Sequence, residues 1–302
     1  MNSSLNDTDL LNTLSNQMAD AVAQAGTAIV TVNGRPRQPA SGIVYAADMV
    51  LTADHVLERD EDLSVETPDG RTLAAQVVGR DPATDLALLR VSGLGIEPLA
   101  TAESPARVGQ LVLAVGRPNS GGPMASLGII SAVGGPLRTR QGGVLEQFIQ
   151  TDATPYPGFS GGPLVDSKGT MVGLLTTGFG GVALGIPIAI AQRVAATLAQ
   201  HGAVKRGFLG ISSQPVQLPE GQRAGLSQAS GLLVVRVEAD SPAARGGLLV
   251  GDVLVNFDGQ QLYDTDDLQA LLSGERVGAS LPVGLIRGGQ QVTAQVTVGE
   301  RK

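Results

Sequence analysis

Short apolar runs, broken by glycine, proline, aspartate and asparagine, fill the middle of the chain. TAIVTV (27–32), SGIVYA (41–46), MVLTA (49–53), TLAAQVV (72–78), DLALLRV (85–91), QLVLAVG (110–116), MASLGIISAV (124–133), LEQFIQTD (145–152), TMVGLLTT (170–177) and GVALGIPI (181–188) each have the length and patterning of a strand. No helical pattern separates them, which favours antiparallel barrels over βαβ units. Helical periodicity brackets this region. Leu10, Leu11, Leu14, Met18, Ala21 and Val22 share one face of a helix over 8–25, with Asp7 or Thr8 at its start and Gly26 at its end. A second helix is predicted over 188–200, stopping at His201-Gly202.

After the polar joint AVKRG (203–207), strands alternate with short helices. The order is GFLGI, a glutamine-rich loop, GLLVVRV, a small helix around SPAARGGL, and DVLVNFDG. A helix at DTDDLQALLS and the strands SLPVGLIRGG and QQVTAQVTV complete it. The expected division is an N-terminal helical segment (1–25), a β domain (26–202), a linker (203–206) and a small α+β domain (207–302). A length of 302 residues agrees, at roughly 100–200 residues per domain.

Composition narrows the chemistry. Glycine occurs 41 times and aromatics make up only 3 %, so the core is aliphatic and the turns are tight. The net charge of −7 and the lack of a basic run argue against nucleic-acid partners. There is no cysteine, hence no disulfide, thiolate nucleophile or thiolate metal site. The N-terminus has no basic start followed by an apolar core of about 7–15 residues, and no apolar run reaches the ~18 residues of a membrane span. Read from Met1 the protein is expected in the cytoplasm. A chain whose leader had been removed would read the same way, and would then be periplasmic or otherwise extracytoplasmic.

Only two histidines are present, at positions 55 and 201. His201 falls in the last turn of the predicted second helix, where an imidazole suits the negative end of the helix dipole. His55 sits in a turn just after the strand MVLTA. Asp85 opens the apolar strand DLALLRV, where a carboxylate needs a partner. Ser160 lies in PGFSGGPL, where glycines permit unusual backbone angles and allow N–H groups to converge on one point. Taken singly each has a plain structural explanation: a turn histidine, a strand-end cap, a glycine-rich hairpin. Taken together they supply a nucleophile, the base it requires, and a carboxylate to orient that base.

TADHVL, TDLALLRV and QTDATPYPGFSGGPLVD resemble the three catalytic segments of the HtrA (Deg) serine proteases. GFLGI followed by GLLVVRVEADSPAARGGLLVGDVLVNFDGQQL is similar to that family's PDZ module. The resemblance implies a mainly β fold, with a chymotrypsin-like protease domain of two six-stranded β-barrels followed by a small α+β PDZ domain. It implies a serine endopeptidase with His55 as general base, Asp85 as its orienting carboxylate and Ser160 as nucleophile. The oxyanion hole would be formed at Gly158, Phe159 and Ser160, from the N–H groups of Gly158 and Ser160. The segment TTGFGGVALG (176–185) aligns with the primary specificity loop and carries no acid, which implies cleavage after small aliphatic residues. In the PDZ module, Phe208, Leu209, Gly210 and Ile211 would form the carboxylate-binding loop, and Leu268 would face the last side chain of the peptide. Leu271 and Leu272 are further candidates; the alternative is that these leucines fill the core. Expected partners are unfolded or damaged proteins and peptide C-termini, in a homotrimer, with no cofactor and no metal.

The chain departs from the family at three places. Phe159 stands where asparagine is usual, Asp54 precedes the histidine where a small or amide residue is usual, and Thr154-Pro155-Tyr156 replaces Ala-Ile-Asn. Phe159 either tilts the turn or joins the substrate surface. Asp54, if turned inward, would act on the imidazole. These departures motivate a second reading, a non-proteolytic peptide-binding protein or holdase with a degenerate site. Metal hydrolysis and phosphate binding have no HExxH and no GxxxxGK[ST] to support them.

Overall fold

The computed structural model describes residues 7–138, 144–179, 184–204, 207–272 and 276–300. The chain divides into two compact units, Met1–Val204 and Lys205–Lys302. In the first unit, helix α1 (Asp7–Gly26) precedes a closed barrel. The barrel's strands are β1 (Ile29–Asn33), β2 (Ala40–Ala46), β3 (Met49–Ala53), β4 (Leu63–Glu66), β5 (Thr72–Asp81) and β6 (Leu86–Arg90), in the order β1-β2-β3-β6-β5-β4. Strands β7 (Leu111–Gly116) and β8 (Met124–Gly134) open a second barrel. A hairpin of β9 (Leu137–Arg138) and β10 (Val144–Leu145) follows, before β11 (Phe148–Thr151), β12 (Pro163–Val165), β13 (Met171–Thr176) and β14 (Leu184–Pro187) close the barrel as β11-β14-β13-β12-β7-β8. Closure leaves no free edges, so the backbone groups of these short strands are paired all round.

Strand β4 was not expected from the sequence. LSVE presents only Leu63 and Val65 as apolar, between acidic residues, yet both point inward and are buried. Helix α2 (Ile188–His201) buries Ile190, Ala191, Val194, Ala195 and Leu198 against β5, β6, β13 and β14, and thus touches both barrels. It ends where the sequence indicated. Gly202 adopts φ 72°, and its N–H caps the Leu198 carbonyl. Helix α1 packs on β7 and β12, while Leu10, Leu11 and Leu14 remain exposed. The side chains of Asp7 and Thr8, the candidate caps, lie outside the described residues.

The second unit contains β15 (Gly207–Phe208), β16 (Ile211–Gln217), β17 (Ser230–Val237), α3 (Pro242–Arg245), β18 (Val253–Phe257), β19 (Gln260–Gln261), α4 (Thr265–Leu271), β20 (Ser280–Arg287), β21 (Gln290–Thr297) and β22 (Gly299–Glu300). The main sheet runs β16-β17-β18-β20-β21, with β19 on β18, and β15 pairs with β22. The segment read as a glutamine-rich loop begins as strand β16, which ends at Gln217. ISSQPVQ alternates intermediate and exposed positions, and its Pro215 lies on an edge strand, where a missing N–H is tolerated. Ser241 caps α3 by accepting from the Ala244 N–H at 3.1 Å, with Pro242 as first helical residue.

Asp252, at the start of β18, is buried and accepts two bonds of 2.7 Å from Arg287 and one of 2.8 Å from the Leu249 N–H. Burial alone would raise its pKa, but these donors prevail and hold the carboxyl below its usual range. The stabilisation is therefore complete above the ordinary carboxylate titration near pH 4 and is lost as pH falls through the depressed folded value. Asp252→Ala should lower the local opening free energy of β17 and β18 by about 2 kcal/mol near neutrality. Hydrogen exchange on the full chain should show that deficit shrinking on acidification to about pH 3; a deficit independent of pH would contradict the pairing.

Candidate active site

His55 lies on a single 3₁₀ turn (Asp54–Val56) directly after β3, on the first barrel. Asp85 precedes β6 on the same barrel, in a left-handed conformation (φ 56°) that aspartate tolerates better than most residues. From there it reaches the histidine turn three times. Its carbonyl accepts from the Asp54 N–H at 3.1 Å, Oδ1 accepts from the His55 N–H at 2.8 Å, and Oδ2 meets His55 Nδ1 at 2.8 Å. The Thr176 hydroxyl, at the end of β13 on the second barrel, also donates to Oδ2. Gly178 covers the pair: a methyl group there would stand 2.5 Å from Asp85 Oδ2 and 3.1 Å from His55 Nδ1. Asp85 is thus buried and fully partnered, and its carboxylate leaves His55 Nδ1 no role but donor.

Asp54 turns away from the imidazole. Its carboxylate takes Arg80 Nε at 2.5 Å, and Arg80 also binds the Leu57 carbonyl at 2.8 Å and Asp60 at 2.7 Å. Arg80 therefore staples both sides of the turn that carries His55. Burial pushes the Asp54 carboxyl above its usual range, against the pull of Arg80, and the Asp85 and Asp81 charges add to the rise. Burial acts to lower the Arg80 pKa, but the two carboxylates on the guanidinium outweigh it and hold that pKa above the usual value.

Ser160 lies on the turn between β11 and β12 and is largely buried. Its Oγ is 3.1 Å from the Thr177 hydroxyl. Gly158 (φ 87°) and Gly161 (φ 86°) adopt the left-handed backbone that glycine accepts freely. The Phe159 N–H is donated to the Tyr156 carbonyl at 3.0 Å, so it is not free to receive an oxyanion. The Phe159 carbonyl accepts from the Gly162 N–H at 2.8 Å. Because a trans peptide sets C=O and N–H in opposite directions, that bond also aims the Ser160 N–H. Among the described residues, no group accepts from the N–H of Gly158 or Ser160.

Phe159, one of the departures from the family pattern, does not join the surface. It is fully buried in the second-barrel core and packs edge-on against Tyr156, with ring centres 5.4 Å apart. Gly116, at the end of β7, makes room for it; a methyl group there would come within 2.6 Å of the Phe159 ring. Thr176, Thr177 and Gly178 were read from the sequence only as part of the specificity segment, not as partners of Asp85, His55 and Ser160. The signal was a TTG sequence closing an apolar strand, which reads equally well as an ordinary strand end. The specificity segment TTGFGGVALG lies partly outside the described residues, at 180–183.

In the second unit, Gly210 takes φ 78°, and its carbonyl accepts from the Glu238 N–H at 2.8 Å. The Leu209 carbonyl accepts from the Ala243 N–H at 2.8 Å. Leu209 and Leu268 are both buried in the unit's core, while Phe208 and Ile211 are half-buried. Leu271 and Leu272 pack partly buried against the same core. Strand β16, which begins at Ile211, is the outer strand of the sheet, and α4 packs beside it.

A family profile described as a trypsin-like peptidase domain matches residues 40–174, and one described as a PDZ domain matches residues 207–298. Two solved structures, an HtrA-type protease AlgW with decapeptide and a serine endoprotease from Yersinia pestis, are each 32 % identical with a TM-score of 0.79. The first match covers 94 % of this chain and 99 % of that one, the second 95 % and 98 %. The chain belongs to the HtrA-type serine protease family. Its fold is the family's: two six-stranded barrels of chymotrypsin type followed by a PDZ domain. Among curated relatives, probable periplasmic serine endoproteases described as DegP-like from Pseudomonas fluorescens and Pseudomonas putida are 36 % and 37 % identical over 267 residues, 86 % of this chain. This HtrA-type chain spans 56 % and 55 % of their lengths.

Within this family member, the Phe159–Gly116 contact makes a prediction. Gly116→Ala needs no unusual backbone angle, so its effect comes from displacing the ring and with it the turn. Phe159→Ala should cost about 3–5 kcal/mol of stability in the first unit, and Gly116→Ala about 1–3 kcal/mol. Denaturant unfolding measures both; a Gly116→Ala protein as stable as wild type would show that the ring is not tightly held.

Proposed function

We propose that the protein is a serine endopeptidase acting on unfolded or damaged proteins. The observation that carries the reading is the Asp85–His55 pair, locked by Thr176, whose neighbour Thr177 in turn holds the Ser160 hydroxyl. Ser160 Oγ attacks the scissile carbonyl as His55 Nε2 takes its proton. Rotation about the serine Cα–Cβ bond exchanges the Thr177 partner for the imidazole. Asp85 stabilises the imidazolium and fixes its orientation. The N–H groups of Gly158 and Ser160 receive the charge that builds on the carbonyl oxygen. The imidazolium then protonates the leaving amine, and water, deprotonated by His55, hydrolyses the acyl-enzyme. The absence of an acid among the described residues of the specificity segment supports cleavage after small aliphatic residues.

The PDZ unit would bind peptide C-termini. Leu209, Gly210 and Ile211 offer N–H groups to the carboxylate, and the peptide adds as a strand beside β16. Its outer position in the sheet supports this, as do the AlgW structures solved with a decapeptide and with a tripeptide. Leu268, though buried, floors the groove from α4. A homotrimer, with the exposed Leu10, Leu11 and Leu14 in its contact, is part of the reading, as is an extracytoplasmic location like that named for the DegP-like relatives. No helix among the described residues is long and apolar enough to cross a membrane.

A denatured protein substrate should be cut after valine and alanine, and Ser160→Ala should lower turnover by about 10⁴-fold or more. Mass spectrometry of the products reads the sites. Cleavage mainly after lysine and arginine would overturn the specificity. Suppressed aggregation without any cleavage, equal in Ser160→Ala, would replace the protease with the holdase.

A further inference from the structure

Ser41 lies on β2 of the first barrel, has no exposed surface, and faces the Ser160 turn of the second barrel. Its hydroxyl and its N–H both bear on that turn or on the strand beside it. The Ser41 hydroxyl donates to the Gly158 carbonyl at 2.7 Å and accepts from the Arg117 N–H at 2.8 Å. The Ser41 N–H donates to the Ser160 carbonyl at 3.1 Å. The Ser41 carbonyl accepts the Thr52 hydroxyl at 2.7 Å, and a side chain on Gly161 would run into these two groups. One residue therefore grips the turn on both sides of Phe159-Ser160, and its side chain grips the Gly158 side.

We infer that Ser41 is a positioning residue for acyl transfer: its hydroxyl, held by the Arg117 N–H, fixes the Gly158 peptide and so the aim of the oxyanion-hole donors. This rests on the serine endopeptidase reading and adds a residue to it. The 158–159 peptide is tied at both ends, its carbonyl to Ser41 and its N–H to the Tyr156 carbonyl. The next peptide is tied through the Phe159 carbonyl to the Gly162 N–H. Among these ties only the Ser41 hydroxyl comes from a side chain and crosses from the other barrel. Without it, the Gly158 carbonyl and the Arg117 N–H would be buried and unpaired, and the turn would relax to find other partners. The donors stay in the molecule but lose their aim. That lowers the rate of the chemical step and leaves ground-state binding of substrate intact.

The test compares Ser41→Ala with Thr31→Val on a chromogenic peptide ending in valine. Thr31 is equally buried, and its hydroxyl donates to the Arg117 carbonyl at 2.9 Å, so its loss removes a similar bond without touching the turn. Ser41→Ala should lower kcat by about tenfold to a hundredfold with KM within about twofold. Thr31→Val should keep kcat within about threefold while losing comparable thermal stability. Ser41→Cys, of similar size and a weaker donor, should fall between wild type and Ser41→Ala, and supplies the measurement if the alanine variant does not fold. Equal kcat in wild type and Ser41→Ala, or equal losses in Ser41→Ala and Thr31→Val, would overturn the assignment while the protease reading stands. A wild type that cleaves nothing overturns both.

Discussion

The Asp85 carboxylate is the point on which the first unit turns. A buried carboxylate without partners is untenable in a protein interior. Here it is satisfied only when three segments meet: its own strand end, the 3₁₀ turn of His55, and the Thr176 end of β13 in the other barrel. The requirement to pair one charge thus joins the two barrels at their shared rim. It also fixes the imidazole, since Nδ1 must donate to the carboxylate.

The Ser160 turn is built on a different principle. It contains no charge, and its shape comes from backbone. Two glycines with positive φ let the chain fold tightly, neighbouring carbonyls and N–H groups tie each peptide, and Ser41 holds it from the first barrel. Phe159 anchors the turn from below as an apolar plug in the space left by Gly116. An asparagine at that position would have to satisfy its amide; a phenylalanine needs only a cavity of the right shape. Phe159 therefore holds the turn by packing alone.

Much of this was legible in the chain itself. The strand pattern, both long helices and the glycine stop at Gly202 follow from periodicity and cap chemistry, because closed barrels demand regular short strands. Strands β4 and β16 were missed. Their pairing depends on partner strands, and neither LSVE nor ISSQPVQ carries enough apolar residues to announce itself. His55, Asp85 and Ser160 stood out because histidine is scarce and because acids and serines beside apolar runs need explanation. Ser41, Thr176 and Gly178 did not, since their importance lies in what folds against them. The direction of Asp54 was equally unreadable: the residue that captures it, Arg80, is brought near only by the pairing of β5 with β6.

The account stands or falls on whether the charge at Asp85 makes Ser160 reactive through His55. The most direct measurement is the second-order rate at which a fluorophosphonate labels Ser160, compared between wild type and Asp85→Asn, with binding of an apolar C-terminal peptide as a control for folding. The account predicts rapid labelling of wild type, a rate lower by about 10³-fold or more in the variant, and unchanged peptide binding. Equal labelling rates in the two proteins would contradict it.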